Sequence, residues 1–150
     1  MLNILFPECN IEEFKVVDNK LILTGRSGKK EARCPRCKEN SDKVHGYYQR
    51  HPHDLPLADC VIQFCLTVKR FYCFNRSCKK KTFAESFEPW LARYAQRSRR
   101  LSTTQSCVAE VLSAKASEAL LAHLQMPISH DLSMDPVRFL GDKFILPPPS

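Results

Sequence analysis

Glycine is scarce, with four among 150 residues, at positions 25, 28, 46 and 141. None of them builds a Gly-rich phosphate loop, which argues against nucleotide-binding motifs that wrap backbone N–H groups around a phosphate. Long apolar runs are missing too, and no stretch approaches the roughly 20 residues that cross a bilayer. Met1–Pro7 is apolar but short, carries no basic leader, and runs on to Glu12 and Glu13, so no export signal is expected. There is no internal repeat, and no Ser/His/Asp or paired-carboxylate grouping stands out. These absences point away from a membrane protein, a small-molecule binder and an enzyme.

Cysteine, by contrast, is abundant, with eight in the chain. Such a count suits a small secreted disulfide scaffold. Without an export signal the chain is expected in a reducing cytoplasm, where C-x-x-C more often means metal or redox chemistry. Cys34 and Cys37 form C-P-R-C, and Cys73 and Cys78 form C-F-N-R-S-C, with 35 residues between the pairs. Two close pairs of soft ligands match a tetrahedral, structural zinc site. With four thiolates in the shell no position remains for water or substrate, so the expected zinc is structural. The other thiols fit less well. Cys65 precedes Cys73 on one apolar-alternating stretch and would lie about 26 Å away along a strand. Cys60 is farther, and Cys9 and Cys107 read as isolated, buried small hydrophobes. His45 is a substitute ligand or a packing residue, and His51 and His53 read as a solvated loop. A redox reading of Cys34 and Cys37 needs a following long helix, whereas Lys38–Asp42 reads as a turn.

Charge is polarised along the chain. Arg26–Arg100 holds 18 Lys/Arg against 7 Asp/Glu, a net +11, while the remainder is −4. A surface of this kind favours a polyanion, or serves solubility alone. Lys69, Arg70, Arg76 and Lys79–Lys81 cluster beside the second cysteine pair. Arg93, Arg97, Arg99 and Arg100 precede a predicted helix. Tyr47, Tyr48, Tyr72 and Phe74 sit among these charges, as stacking groups for bases or as rim aromatics of a small sheet.

Hydrophobic periodicity places the elements. Phe14–Val17 and Leu21–Thr24 read as strands around a tight turn at Asp18-Asn19-Lys20, followed by a polar loop at 26–30. Val44–Arg50 reads as a strand and His51–Pro56 as a loop. Val61–Tyr72 alternates, with Ile62, Phe64, Leu66 and Val68 on one face. It is expected to pair antiparallel with 44–50. Thr82–Trp90 reads as a connector. A helix is expected from near Ser98, with Leu101, Thr104, Val108, Val111 and Leu112 as its stripe. A second spans Ala114–Leu124, with Ala116, Ala119, Leu120 and Leu124 inward. The pair reads as the start of a helix-turn-helix or as a plain helical hairpin. Ser129 would cap a third helix that Pro136 stops. The expected fold is therefore α+β, a small zinc-ribbon-like antiparallel β module followed by helix-turn-helix-like helices. Its expected segments are 1–33 (β), 34–90 (zinc module), 91–135 (helices) and 136–150 (irregular tail).

From Cys34 to about Ser129, roughly two thirds of the chain, the sequence resembles the N-terminal region of bacterial insertion-sequence transposases of the ISL-three group. The resemblance rests on C-P-R-C, V-H-G-Y-Y-Q-R (44–50), D-L-P (54–56), V-K-R-F-Y-C (68–73), C-K-K-K-T-F-A-E (78–85) and R-S-R-R-L (97–101), in order. In that group the cysteine module and a helix-turn-helix recognise the element's terminal inverted repeats, and a separate RNase-H-like domain cuts and joins DNA. The resemblance implies Cys34, Cys37, Cys73 and Cys78 as zinc ligands. It implies Arg70, Lys80, Lys81, Arg97, Arg99 and Arg100 as contacts to double-stranded DNA. The pattern departs after Ser129, where H-D-L-S-M-D-P replaces a Leu- and Arg-rich run. Gly141-Asp142-Lys143-Phe144 faintly resembles the segment with the group's first catalytic Asp, and the sequence stops six residues later. A truncated, non-catalytic DNA-binding fragment is expected. The rival expectation is an adaptor that pairs with a full-length transposase or with itself.

Overall fold

The computed structural model describes Phe6 and residues 8–126. The expected third helix after Ser129, its stop at Pro136 and the tail lie outside the described residues. The described chain is α+β, with eight strands and two helices. Strands β1 (Cys9–Val17) and β2 (Lys20–Ser27) form the expected hairpin. Asp18 and Asn19 turn it with φ of 47° and 62°. Two successive left-handed residues match the twist of the flanking strands, and Asp and Asn tolerate that conformation best after glycine.

Strand β7 (Cys60–Tyr72) is the spine of a six-stranded sheet. Its first half pairs parallel with β2, Leu23 lying opposite Phe64. Its second half pairs antiparallel with β5 (Val44–Arg50), as the alternation predicted. Thr67 faces both Arg26 and Gln49, so β2 and β5 occupy opposite edges of the spine. Strand β6 (His53–Leu57) pairs with the start of β7 and β8 (Thr82–Ala84) with its end. A separate two-stranded hairpin, β3 (Ala32–Arg33) with β4 (Asn40–Ser41), carries the first cysteine pair.

Three expectations change here. The sheet is mixed rather than antiparallel, because β2 runs parallel to the spine; segments 1–33 and 34–90 thereby share one sheet. His53–Leu57 is a strand, not a loop. It tolerates Pro56 because the ladder to β7 is irregular between Asp54 and Leu57, where no N–H is demanded. Thr82–Ala84 is a strand within the expected connector.

The two faces of β7 carry separate cores. Ile62, Phe64, Leu66 and Val68 are buried with Phe6, Cys9, Leu23, Ala84, Phe87, Trp90 and Leu91. Phe71, one step out of that alternation, is buried with Phe83, Cys34 and Cys78. Ala84 lies opposite Arg70, while Phe83 lies opposite Phe71. Adjacent residues of β8 therefore enter different cores, as period-two geometry requires.

The chain divides into two compact units between Ser102 and Thr103. Helix α1 (Arg99–Val111) runs across that division, and α2 (Ala114–His123) follows after Leu112 and Ser113. Ser113 caps α2 by accepting the Ala116 N–H at 3.4 Å. Left-handed Gln125 closes it, and the Met126 N–H reaches the Leu121 carbonyl at 2.7 Å. The helical faces differ from expectation. On α1, Leu101 and Gln105 are buried, while Val111 is 82% exposed. On α2, Ser117 and Leu121 are buried, whereas Ala116 and Ala119 face solvent. Gln105 explains part of the shift, because its Nε2 donates to the Met126 carbonyl at 3.2 Å and is thereby buried without cost. Among the described residues no helix is long and apolar enough to cross a membrane.

Candidate metal centre

Each cysteine pair sits in a tight turn that closes a two-stranded ladder. In the first, Cys34 follows β3, and its N–H donates to the Glu39 carbonyl at 2.8 Å. Its own carbonyl accepts the Lys38 N–H at 3.0 Å. Lys38 adopts φ 66°, a left-handed position that folds the chain back after the second thiol. In the second turn the Cys73 N–H donates to the Lys81 carbonyl at 2.8 Å, joining the end of β7 to the start of β8. Asn75 Oδ1 accepts the Ser77 N–H at 2.9 Å, an Asx turn that brings Cys78 back toward Cys73. The Asn75 amide also donates to Glu39 Oε1 at 3.1 Å, which ties one turn to the other.

The four sulfurs of Cys34, Cys37, Cys73 and Cys78 all lie within 4.8 Å of one another. Cys37 and Cys73 are 3.6 Å apart, and Cys34 and Cys78 are 4.0 Å apart. Thiolates about 2.3 Å from one zinc ion define a tetrahedron with edges of about 3.8 Å. Two of the six edges match that value closely, and the four thiols fit such an ion with small side-chain adjustments. Cys34 and Cys78 are buried, Cys37 and Cys73 partly so. Burial opposes charge on Cys34. N–H donation from Cys37 and Arg36, with the neighbouring thiols, outweighs it and brings that thiol down to about 7. Burial and the competing thiols push Cys73 up to about 12, against donation from the Asn75 N–H. The cluster thus sets a thiol that gives up its proton readily, Cys34, beside one that holds it, Cys73.

The remaining cysteines stay apart from this cluster. Cys9 is buried in the main core, where burial, then Glu85 and Glu12, raise its thiol to about 11. Cys65 lies within β7, Cys60 begins it, and Cys107 is exposed on α1, not buried as expected.

The six residues that resemblance assigned to DNA fall in two places. Arg70 and Lys81 are exposed, and Lys80 half-buried, where β7 and β8 lead into the second cysteine turn. Tyr72 and Phe74 are exposed there too, with ring centres 6.0 Å apart. Arg97, Arg99 and Arg100 lie at the start of α1. Burial lowers the Arg97 guanidinium from its ordinary range. Arg99 meets Glu88 at 3.5 Å on the surface. Arg100 has a different task, since its Nε donates to Asp54 Oδ1 at 2.7 Å and a second nitrogen to Oδ2.

Sequence reasoning passed over two buried carboxylates. Asp54 is buried and also accepts from Ser98 Oγ at 2.6 Å and Trp90 Nε1 at 3.4 Å. Ser98 in turn accepts the Leu101 N–H at 3.2 Å, so an anion sits at the start of α1, which has no acidic residue in its first turn. Glu85 accepts the Lys69 N–H at 2.8 Å and extends the ladder to β8 with a side chain. Each carboxylate stood in a run quoted for the resemblance, Asp54 in D-L-P and Glu85 at the end of C-K-K-K-T-F-A-E, but nothing in either run marked it as buried. Comparison of the chain with protein-family models, curated proteins and solved structures gives no match.

Proposed function

We propose that this chain is a zinc-stabilised, non-catalytic module that binds double-stranded DNA, of the kind that recognises transposon ends. The observation that carries the reading is the tetrathiolate cluster standing beside exposed Arg70 and Lys81 in the part of the chain with net charge +11. Zinc is the ion that four thiols at these separations suit best, and a filled thiolate shell gives it a structural role. The two cysteine turns act as zinc-ribbon knuckles. Helices α1 and α2 supply the first part of a helix-turn-helix. Arg70, Lys80, Lys81, Arg97 and Arg99 neutralise phosphates, while Arg100 positions the start of α1 through Asp54. Exposed Tyr72 and Phe74 add apolar contact area beside the charges.

The test is fluorescence anisotropy of the zinc-loaded chain with an inverted-repeat duplex and a scrambled duplex across a salt series. Phosphate neutralisation predicts log K falling with log salt at a slope of about −0.9 per contact. Arg70→Ala and Lys81→Ala should each reduce the slope by about 1. Tighter binding to the repeat supports end recognition. Affinity for neither duplex rejects the DNA reading and favours the adaptor.

A further inference from the structure

Strand β1 lies at the margin of the sheet and pairs on one side only, with β2. Its outward main-chain groups meet no other strand among the described residues. Natural edge strands are usually short, charged or interrupted. This one has nine residues; a bulge interrupts it between Ile11 and Glu13, and its ladder is regular from Glu13 to Val17. Phe14 is 67% exposed and Val16 62%. Register places Phe14 beside Leu23 and Val16 beside Leu21, in the rows that continue to Phe64 and Ile62 of the main core. The core face of the sheet therefore reaches its margin as open apolar surface. Glu13 and Lys15 occupy the other face, and neither has an ion-pair partner among the described residues.

We infer that β1 pairs antiparallel with β1 of a second copy of this chain, joining the two sheets edge to edge about a two-fold axis at Phe14. A two-fold axis makes an interface self-complementary, so position 14 + k faces position 14 − k. Phe14 then faces Phe14 of the partner subunit. Glu13 faces Lys15 of the partner subunit, and the symmetric pair repeats across the axis. Neighbouring registers are worse. An axis at Glu13 sets that carboxylate against itself, and one at Lys15 sets two ammonium groups together. Intermediate registers place Phe14 against a charge. Glu12, the other acid nearby, already pairs with Arg26 at 2.6 Å. The charge pattern thus selects one register and one partner, and this inference stands independently of the DNA reading.

The test is sedimentation velocity of the full chain over a concentration series, for wild type, Glu13→Lys, Lys15→Glu and an equimolar mixture of the two variants. Wild type should dimerise. Each reversal alone faces like charges and should weaken the dimer about tenfold or more. In the mixed dimer every reversed charge again faces its opposite across the axis, so the mixture should return to wild-type affinity. Phe14→Lys should be monomeric with an unchanged far-UV circular dichroism spectrum. A wild type that stays monomeric, or reversals that leave the dimer intact, would overturn the proposal. So would a mixture no tighter than either variant alone.

Discussion

On one face of β7, Ile62, Phe64, Leu66 and Val68 meet seven other buried residues, including Trp90 and Phe87. On the other face, Phe71 and Phe83 stack at 6.0 Å with four thiols beside them. The first core resembles an ordinary domain interior, stabilised by buried area. The second is too small for that, since a few side chains at about 25 cal/mol per Å² do not offset the entropy of two ordered turns. In the proposed reading, metal coordination does there what burial does on the opposite face. One strand therefore carries two regions whose stability answers to different perturbations.

The largest separation of the two should come from Cys37→Ser. Structural zinc contributes about 10–16 kcal/mol in small peptides. The variant should lose the ion, and hydrogen exchange should show the two cysteine turns unprotected while β2 and the first half of β7 keep their protection. Protection lost equally on both faces would merge the two cores into one. Asp54→Ala strikes the other region. It leaves Arg100, Ser98 and Trp90 donors without their acceptor and should cost about 3 kcal/mol in urea unfolding, with zinc content unchanged. A smaller contrast comes from two glycines. A Cβ at Gly25 would stand 2.7 Å from the Asn10 carbonyl oxygen, so Gly25→Ala should destabilise by about 1–3 kcal/mol. A Cβ at Gly46 meets nothing within 4 Å, and Gly46→Ala should stay within about 0.5 kcal/mol of wild type.

Alkaline pH gives the finest distinction. Burial raises Cys9 from its ordinary 9.0 to about 11 in the folded chain. A thiol raised on folding holds its proton more tightly in the folded state. Its contribution is therefore complete below pH 9 and declines as pH climbs toward 11. Cys9→Ala should flatten the loss of main-core stability over that window in urea titrations. An unchanged slope would place the alkaline sensitivity elsewhere.

The four-thiol cluster was legible because its spacing is local: C-x-x-C and the Cys73–Cys78 loop each report their turn within six residues. The alternation of Ile62–Val68 was legible for the same reason. The parallel pairing of β2 with β7 was not, because register between strands so far apart in the chain leaves no local mark. Nor was the second core. Phe71 breaks the alternation by one step, and only the pairing with Phe83 shows that it turns toward the thiols. The helical stripe failed where polar Gln105 and Ser117 are buried by hydrogen bonds to carbonyls, which hydrophobic periodicity cannot register. Arg100 looked like its basic neighbours until Asp54, 46 residues earlier, was found beneath it.

The measurement that bears most directly on the metal centre uses the single tryptophan, which lies in the main core. Zinc content is counted by mass spectrometry under native conditions. A chelator is then added while thiol reactivity and Trp90 emission are followed in one sample. The account predicts one zinc per chain, and four thiols that become reactive together as it leaves, with Trp90 emission unchanged. A chain without zinc, or one whose Trp90 emission collapses with the metal, would contradict it.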